Sequence, residues 1–365
     1  MNLKTEISKI HYDKNAKGLI VKILEFASIF YGLGSGLKNI LYDKNIIKPK
    51  KVNAFVISVG NLTTGGVGKT PVVSEIAKYF IGKGEKIAII SRGYGGKLSN
   101  KNINIISDGE KIYYNANLSG DEPYWLAQNT KGAVVITCKN RYKAAEYAIN
   151  KFGTTKIILD DGFQHRKLHR DLDIVLMDSK MGFGNEKLLP AGPLREGTEA
   201  LSRINKLIIV SKDIDHSRAE KLSKIMGKKL KVQTEVCYTE PDIVYNIKTG
   251  EILPKNSEIT AICAIGQPTQ FYNFLKDYKI KGTKDFDDHH LYTEEEIPQG
   301  IIVTTEKDTV KMANFERNDI YALKLKTVIN TEALLNNADQ NWYRQNCRII
   351  KKSQTTTKRL CKAYG

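Results

Sequence analysis

Residues 63–70 combine a glycine-rich turn with a lysine and a threonine, residue types that together can hold the phosphates of a nucleotide. They follow the apolar run 55–57 and precede a helical pattern, which is the strand, loop and helix order of a phosphate-binding loop (P-loop). Such a loop offers backbone N–H groups to phosphate oxygens, and the helix N-terminus adds partial positive charge. The predicted nucleotide-binding residues are Thr63, Thr64, Gly65, Gly66, Val67, Gly68, Lys69 and Thr70.

Two of these residues have predicted chemical roles. Lys69 would reach the terminal phosphates, and the hydroxyl of Thr70 would bind Mg²⁺. The strict pattern requires glycine at its first position, where this sequence has Thr63. The remaining glycines still allow the backbone to approach phosphate closely, so we predict a nucleotide site despite this departure.

A second polar group follows a short apolar strand pattern. Asp160 and Asp161 end this strand, where carboxylates bind the metal ion of P-loop enzymes, so we predict that one or both contact Mg²⁺. Asp-Asp-Gly is also common in turns, so the pair alone is not decisive. Gln164 and His165 follow within reach of the same site. His165 and His169 are four residues apart, but no third ligand has suitable spacing, which argues against structural zinc.

The charge and the composition restrict the class of partner. With 41% hydrophobic and 27% charged residues, the chain is neither disordered nor a multi-spanning membrane protein. Of the net charge of +17, residues 1–51 carry +6 and residues 341–365 carry +7. The nearly balanced middle offers no basic groove, so we expect no nucleic-acid partner. A basic N-terminus beside apolar residues suits an anionic membrane surface, whereas the basic C-terminal residues fit solvated lysines equally well.

Residues 19–31 have apolar side chains at helical spacing. The run is shorter than the roughly 20 apolar residues of a spanning helix, Lys22 and Glu25 interrupt it, and three glycines follow. A cleavable signal peptide fits poorly, because no small-residue cleavage pattern follows. Two interpretations remain, a helix that lies on a membrane and a helix packed on the core, and the pattern alone favours the packed helix.

From residue 54 onward, short apolar runs alternate with helical segments, which predicts an α/β fold with a parallel sheet covered on both faces. Residues 232–254 alternate β-forming residues around turn residues, which predicts a hairpin-like linker. We expect an amphipathic N-terminal segment, a P-loop α/β domain, a helix and hairpin-like linker, a smaller α/β domain and a basic extension. Their expected bounds are residues 1–50, 51–212, 213–254, 255–340 and 341–365.

Seven motifs are similar, in the same order, to those of one family. They are SVGNLTTGGVGKTPVV (58–73), SRGYGG (91–96), GDEP (120–123), LDDGFQH (159–165), LLPAGPLRE (188–196), FDDHH (286–290) and TEKD (305–308). Together they resemble the tetraacyldisaccharide 4′-kinase family of lipid A synthesis. The Asn-Leu before the loop and the Asp-Asp-Gly-Phe-Gln-His run are unusual among other P-loop proteins.

The resemblance implies that ATP donates its γ-phosphate, with Mg²⁺ as cofactor, to the 4′-hydroxyl of a tetraacylated glucosamine disaccharide 1-phosphate, forming lipid IVA. This lipid A precursor would be bound at the cytoplasmic face of the inner membrane, to which the protein would attach as a peripheral or monotopic protein. The family has two α/β/α domains joined by a β-ribbon. The helix at 19–31 then resembles an interfacial anchor, and no obligate protein partner is evident.

The resemblance also implies catalytic residues. In the family, the Asp of GDEP is the base and the first His after the Phe-x-Asp motif is its partner, which correspond to Asp121 and His289 here. A sugar hydroxyl needs a carboxylate to accept its proton as the O–P bond forms. The two residues come from different domains, so the pair would assemble when the cleft closes. Lys69 is the third predicted catalytic residue.

Further candidates for contacts with the substrate or the transition state are Arg92, Arg141, Gln164, His165, Arg195 and Glu196. Which arginine acts is left open, and Glu196 is expected near the metal ion. A soluble P-loop GTPase or ATPase of metallochaperone or ligase type is an alternative, which would not require an apolar N-terminal helix. A nucleic-acid-binding ATPase would use the basic ends, but the balanced middle disfavours it.

Overall fold

The chain folds into two compact units. The computed structural model describes residues 3–212, 214–265, 268–287, 290–312 and 314–335. Among them, the smaller unit contains those within 211–216 and 238–328, and all the others belong to the larger unit.

The larger unit is built on a mainly parallel sheet. Its strands are β1 (Phe55–Asn61), β2 (Ile87–Ser91), β3 (Asn104–Asp108), β4 (Ala133–Thr137), β5 (Lys156–Asp160), β6 (Leu172–Asp178) and β7 (Lys206–Ser211). Their order across the sheet is β7-β6-β1-β5-β2-β4-β3, and β3, at the edge, is antiparallel to β4. The other neighbouring strands are parallel, so their carboxyl ends meet at one edge.

Helices cover both faces of this sheet. The helices of the larger unit include α1 (Leu3–Tyr12), α2 (Leu19–Asp43), α3 (Lys69–Gly82), α4 (Ala116–Ser119), α5 (Asp121–Asn129), α6 (Arg141–Phe152) and α7 (Ser217–Leu230). Among them α3, α5, α6 and α7 pack buried side chains in the core against the sheet. A 3₁₀ turn spans Thr198–Arg203. Side chains alternate along β1, so that Phe55 and Ile57 pack with α3 while Val56 packs with α6 on the opposite face. Burial on both faces explains the continuous apolar runs from which the strands were predicted.

The smaller unit is a second α/β structure. Its strands are β8 (Gln233–Asn246), which begins in the larger unit, β9 (Glu258–Cys263), β10 (Lys279–Asp285), β11 (Ile302–Thr305) and β12 (Ile320–Val328). Their order is β10-β9-β11-β12-β8, with only the β8–β12 pair antiparallel among these neighbours. Its helices are α8 (Pro268–Phe274) and α9 (Glu306–Met312), with a 3₁₀ turn at Glu294–Glu296. The chain then returns to the larger unit as α10 (Thr331–Leu335).

The structure divides the chain differently from the sequence-based expectation. Helix α7 belongs to the larger unit rather than to a linker, and α10 packs Leu334 and Leu335 into the core of the larger unit rather than of the smaller one. Strand β8 pairs with the distant strand β12, and its end also forms a short local hairpin, in which Tyr245 bridges Ile252 and the N–H of Leu253 donates to the oxygen of Val244 at 2.8 Å. Periodicity identifies a strand but not its partner. The expected basic extension, residues 341–365, lies outside the described residues.

The N-terminal helix is longer than predicted. Helix α2 continues from Leu19 through Gly32, Gly34 and Gly36 to Asp43, 25 residues in all. By length and composition it could cross a membrane, and 6% of its most apolar window is buried. The expectation that the run is too short to span was therefore wrong as a statement about length, because the glycines do not end the helix.

Candidate active site

A cleft of about 840 Å³ opens at the carboxyl ends of β1, β2 and β5 in the larger unit. The crevice at this edge is where parallel α/β sheets bind their ligands. Six basic side chains line it, namely Lys38, Lys69, Arg92, Lys139, Arg141 and Arg195. Three acidic side chains line it as well, namely Glu122, Asp160 and Asp161. The excess of positive charge suits a polyphosphate.

The phosphate loop forms one wall of this cleft, from Gly65 to Pro71. Gly65 has φ 105° and Gly68, the N-cap of α3, has φ 85°. These values lie in the region that glycine adopts without steric cost, which explains the loop composition. Lys69 and Thr70 open α3, so the positive end of the helix faces the cleft together with the lysine.

Thr63 and Thr64, predicted to bind the nucleotide, do not line the cleft. Thr63 is buried and forms a backbone bridge with Leu194, and the backbone N–H of Thr64 donates to the oxygen of Pro193 at 2.7 Å. The two threonines thus anchor the base of the loop to the neighbouring segment. A contact between either residue and a nucleotide stays a prediction.

Lys69 points at two side chains. Its Nζ donates to Oδ1 of Asn61 at 3.0 Å and lies 3.4 Å from Oδ1 of Asp161. Nη1 of Arg195 donates to both carboxylate oxygens of Asp161, at 2.9 and 2.7 Å. Burial acts to raise the pKa of Asp161, but the charges of Lys69 and Arg195 outweigh it and hold the pKa below its usual value. Asp161 is therefore an ionised counterion to two cations.

Asp160 has a different environment, although it is the adjacent residue. Burial, and then the charge of Glu122, raise the pKa of Asp160 to about 7. Its Oδ1 is buried and has no hydrogen-bond partner among the described residues. A buried carboxylate oxygen without a partner favours a ligand role, because leaving it unpaired is costly. The structure thus separates the two aspartates into a paired one and an unpaired one.

Gln164 and His165 line the cleft, in agreement with their predicted location. The side-chain amide of Gln164 donates to the main-chain oxygen of Asn61 at 3.0 Å. Burial, reinforced by the charges of Arg141 and Arg170, lowers the pKa of His165 to about 3. His165 is therefore a neutral imidazole near neutral pH and cannot contribute a positive charge to the site.

The three candidate arginines come together in the cleft lining, but they are held differently. Arg195 is bound to Asp161, and Arg92 is exposed. Arg141 is buried, and its Nε has no hydrogen-bond partner among the described residues. Burial lowers the pKa of Arg141. A buried guanidinium facing the cleft is the best placed of the three to meet a phosphate.

Glu196, predicted near the metal ion, does not line the cleft. Its Oε2 accepts hydrogen bonds from Nδ2 of Asn39 and from Nη2 of Arg203, both at 2.8 Å. Because Asn39 belongs to α2, this buried carboxylate ties the N-terminal helix to the larger unit. Its other carboxylate oxygen, Oε1, is buried and has no hydrogen-bond partner among the described residues, and a metal-binding role for Glu196 stays a prediction.

Of the two residues of the predicted catalytic pair, the structure describes Asp121. Asp121 is the first residue of α5 and is exposed, and it is the next residue, Glu122, that lines the cleft. His289 lies outside the described residues. Its neighbour His290 has its Nε2 3.1 Å from Oε2 of Glu296 and stacks on Phe286. The catalytic roles of Asp121 and His289 stay predictions.

Several residues of the cleft lining were not predicted from the sequence, among them Tyr31, Lys38, Lys139 and Glu122. Tyr31 and Lys38 belong to α2 and are seven residues apart, which places them on one side of a helix. That spacing could have indicated a shared face, but the helix was predicted to end at residue 31. Glu122 was not among the predicted site residues, because its neighbours in space are not its neighbours in sequence.

The fold and the site define a class of protein. A phosphate loop after β1, its lysine, and carboxylates at the end of a neighbouring parallel strand are the parts of a P-loop phosphotransferase. Comparison with known proteins then identifies the family. The sequence model of LpxK, tetraacyldisaccharide-1-P 4′-kinase, matches residues 20–341. The chain belongs to this family.

Individual relatives agree with this assignment. The tetraacyldisaccharide 4′-kinase of Desulfotalea psychrophila is 37% identical over 329 residues, covering 84% of this chain and 92% of the relative. The enzyme of the same name from Halothermothrix orenii is 35% identical over 341 residues, covering 83% and 85%. The crystal structure of LpxK from Aquifex aeolicus in complex with ATP superposes with a TM-score of 0.72 at 31% identity, covering 88% of this chain and 99% of that one.

The family assignment confirms three predictions made from the motifs. The protein is a kinase, its fold is that of a P-loop α/β protein, and its function is that of a tetraacyldisaccharide 4′-kinase in lipid A biosynthesis. The alternative of a soluble metallochaperone or ligase is not supported.

Proposed function

We propose that this kinase transfers the γ-phosphate of ATP to the 4′-hydroxyl of a tetraacylated glucosamine disaccharide 1-phosphate while seated on an anionic membrane. One observation carries this proposal. Helix α2 presents exposed apolar side chains and also supplies Tyr31 and Lys38 to the cleft lining. An acceptor with acyl chains needs an apolar surface next to the phosphate site, and α2 joins the two.

The apolar surface of α2 is extensive and unusual for a water-soluble protein. Its large side chains that stay exposed are Leu19, Ile20, Ile23, Phe26, Ile29, Phe30, Leu33, Leu37 and Ile40. Phe26 and Phe30 are 65% and 62% exposed, although aromatic side chains are normally among the most buried. A contiguous patch of this kind marks a protein or membrane interface.

Polar contacts attach the other side of α2 to the larger unit. The Ser28 hydroxyl lies 2.9 Å from the main-chain oxygen of Leu188 and accepts from the N–H of Ala191 at 2.9 Å. Asn39 donates to Glu196, as described above. A helix bonded to the protein on one side and apolar on the other suits lying in the membrane interface better than crossing it. Lysines of the basic N-terminal segment would add attraction to anionic headgroups.

The cleft residues account for the phosphate chemistry. Lys69 and the N-terminus of α3 would neutralise the β- and γ-phosphates, with Arg141 next to them. The residues that would hold Mg²⁺ are Thr70 and Asp160, since Oδ1 of Asp160 is buried and meets no hydrogen-bond partner in the part of the chain that the structure describes. Among the described residues no cluster of three or more His, Cys, Asp or Glu could hold a metal ion by itself. This fits Mg²⁺, which keeps its waters and binds through one or two carboxylates and the nucleotide, whose phosphate charge it neutralises.

The remaining step is removal of the proton from the sugar hydroxyl. Asp121 would accept it, with His289 orienting the carboxylate, as the family resemblance implies. The exposed position of Asp121 at the start of α5, one residue from the cleft-lining Glu122, leaves it accessible to an acceptor that enters from the open side.

The direct test supplies ATP, Mg²⁺ and the disaccharide lipid in vesicles that contain phosphatidylglycerol, and measures labelled phosphate on the lipid. We expect transfer by the unchanged chain and loss of vesicle binding for the double variant F26S/F30S. The matched control is Ile252→Ser, which changes an apolar residue that is 63% exposed in the smaller unit. Absence of phosphorylated lipid would refute the activity, and vesicle binding by F26S/F30S equal to that of the control would refute the membrane role of α2.

A further inference from the structure

Lys69, the lysine of the phosphate loop, is the end of two chains of contacts that begin on helix α2. Its side chain is 11% exposed, and its Nζ is held between Asn61 and Asp161. These two contacts set the direction of the ammonium group. Each of them leads back to α2 by a different route.

The first route runs through Asp161. The hydroxyl of Tyr31 donates to the main-chain oxygen of Arg195 at 3.0 Å. The guanidinium of Arg195 donates to both carboxylate oxygens of Asp161, the shorter distance being 2.7 Å. Asp161 lies 3.4 Å from Nζ of Lys69. Two residues therefore separate the phenol of α2 from the lysine.

The second route runs through Asn61. Nζ of Lys38 donates to the main-chain oxygen of Gln164 at 2.8 Å, and the Gln164 amide donates to the main-chain oxygen of Asn61 at 3.0 Å. The Asn61 side chain accepts from Lys69 and donates to the main-chain oxygen of Thr63 at 2.7 Å. This route reaches both the lysine and the base of the phosphate loop.

The geometry of α2 makes these routes sensitive to the position of the whole helix. Tyr31 and Lys38 are two helical turns apart, so two separate points of α2 are bonded toward the site. Both hydrogen-bond acceptors are main-chain oxygens, those of Arg195 and Gln164. The two bonds therefore fix the position of the backbone at these residues and not only that of flexible side chains. A shift of α2 would therefore move the groups that hold Lys69.

We propose that Tyr31 and Lys38 are positioning residues that orient Lys69 from helix α2. The lipid-binding helix is then also a supporting element of the phosphate site. The connection to lipid rests on the proposed function, whereas the effect on the nucleotide does not require it. Because the loop lysine neutralises the terminal phosphates, a misdirected Lys69 weakens ATP binding and slows transfer.

The test compares ATP affinity by calorimetry for the full chain in a neutral detergent without lipid. Tyr31→Phe removes only the hydroxyl, and Lys38→Met keeps the length of the side chain without the charge. We expect each variant to raise the Kd for ATP by about fivefold, the equivalent of one net hydrogen bond. Lys38→Arg, which keeps a donor, should restore most of the affinity. Lys44→Met, at the end of the same helix but in neither route, should bind ATP normally.

The outcomes separate a positioning role from the other possibilities. Kd values for ATP equal to that of the unchanged chain in both Tyr31→Phe and Lys38→Met would overturn the proposal, including the case in which only the KM for the lipid rises. A lowered unfolding temperature in both variants, with Lys38→Arg failing to restore ATP binding, would also overturn it, because general loosening would then explain the loss. An unchanged chain that binds ATP but phosphorylates no lipid would refute the proposed function and leave this test intact.

Discussion

A Cβ atom on Gly60 would lie 2.6 Å from Cβ and 2.9 Å from the main-chain nitrogen of Phe163. Gly60 is in the central strand β1, and Phe163 belongs to the Asp-Asp-Gly-Phe-Gln-His motif that follows β5. Asp160 ends β5, and the turn that follows it, residues 161–163, packs directly on this glycine. The close approach thus explains why two motifs that are distant in the sequence occur together.

The first prediction concerns this contact. Gly60→Ala should lower the free energy of unfolding by about 3 kcal/mol, because backbone and Cβ atoms cannot yield as a flexible side chain can. Urea unfolding of the full chain measures the change. Gly34→Ala in α2, where a Cβ would meet nothing within 4 Å, should be neutral or slightly stabilising.

A second variant makes this prediction specific. Phe163→Ala in the Gly60→Ala background should not restore stability, since the opposing atoms are Cβ and the main-chain nitrogen, which alanine retains. Recovery in that double variant would show that the aromatic ring, and not the backbone of the turn, is the obstacle.

The second prediction concerns pH. Burial lowers the pKa of His165 to about 3, whereas the unfolded chain takes up this proton near pH 6.5. The unfolded state then binds more protons below pH 6.5, so the contribution of His165 to stability falls as the pH drops toward 3. When the pH falls from 7.5 to 5.5, the free energy of unfolding of the unchanged chain should decrease by about 1 kcal/mol more than that of His165→Gln, because glutamine does not take up a proton.

Two measurements check this behaviour. Urea unfolding of both chains at the two pH values provides the difference, in which the contributions of the other titrating groups cancel. NMR of the imidazole carbons should show no protonation of His165 between pH 8 and pH 5. A His165 signal that titrates near pH 6 would contradict the buried, neutral imidazole.

The third prediction separates the two acidic residues at the start of α5. Asp121→Asn should lower the rate of transfer at least 100-fold while leaving the Kd for ATP almost unchanged, as expected for loss of a general base. Glu122→Gln, one residue on, lines the cleft next to Asp160 and should have a smaller effect on the rate. The reverse order of the two variants would assign the base to Glu122.

The fourth prediction concerns the attachment of α2. Glu196→Ala removes the shared partner of Asn39 and Arg203 and takes away a hydrogen-bond acceptor from two partly buried donors. We expect a loss of about 3 kcal/mol in the free energy of unfolding and faster proteolysis near α2. Glu199→Ala, an exposed glutamate in the adjacent 3₁₀ turn, is the matched control and should change stability little. Equal stability of the two variants would mean that Glu196 does not secure the helix.

Much of the site could be predicted from local sequence. The phosphate loop from Gly65 to Thr70 is a continuous segment whose glycines, lysine and flanking strand and helix are all encoded within a few residues of one another. Asp160 and Asp161 were located by the end of an apolar strand, because carboxyl ends of parallel strands converge on one edge. Motifs in a fixed order then indicated the family, which the comparisons confirm.

Other features depended on contacts between distant residues. The reach of α2 beyond its three glycines, and the arrival of Tyr31 and Lys38 in the cleft, follow from hydrogen bonds to residues more than 120 positions away. The partner of β8 and the return of α10 to the larger core are likewise pairings that periodicity does not specify. The neighbouring residues Asp160 and Asp161 have pKa values shifted in opposite directions, because folding brings different side chains to each of them.

The sequence by itself thus determined which segments form strands and helices and which residues can hold phosphate, since these depend on local spacing and residue chemistry. Only the tertiary structure decided that Asp161 is paired, while Oδ1 of Asp160 is buried with no hydrogen-bond partner among the residues described. It also gave the buried carboxylate of Glu196 a partner on α2, the side chain of Asn39. Charge states and partners depend on burial and on neighbours brought together by folding, and neither quantity is a property of a local stretch of chain.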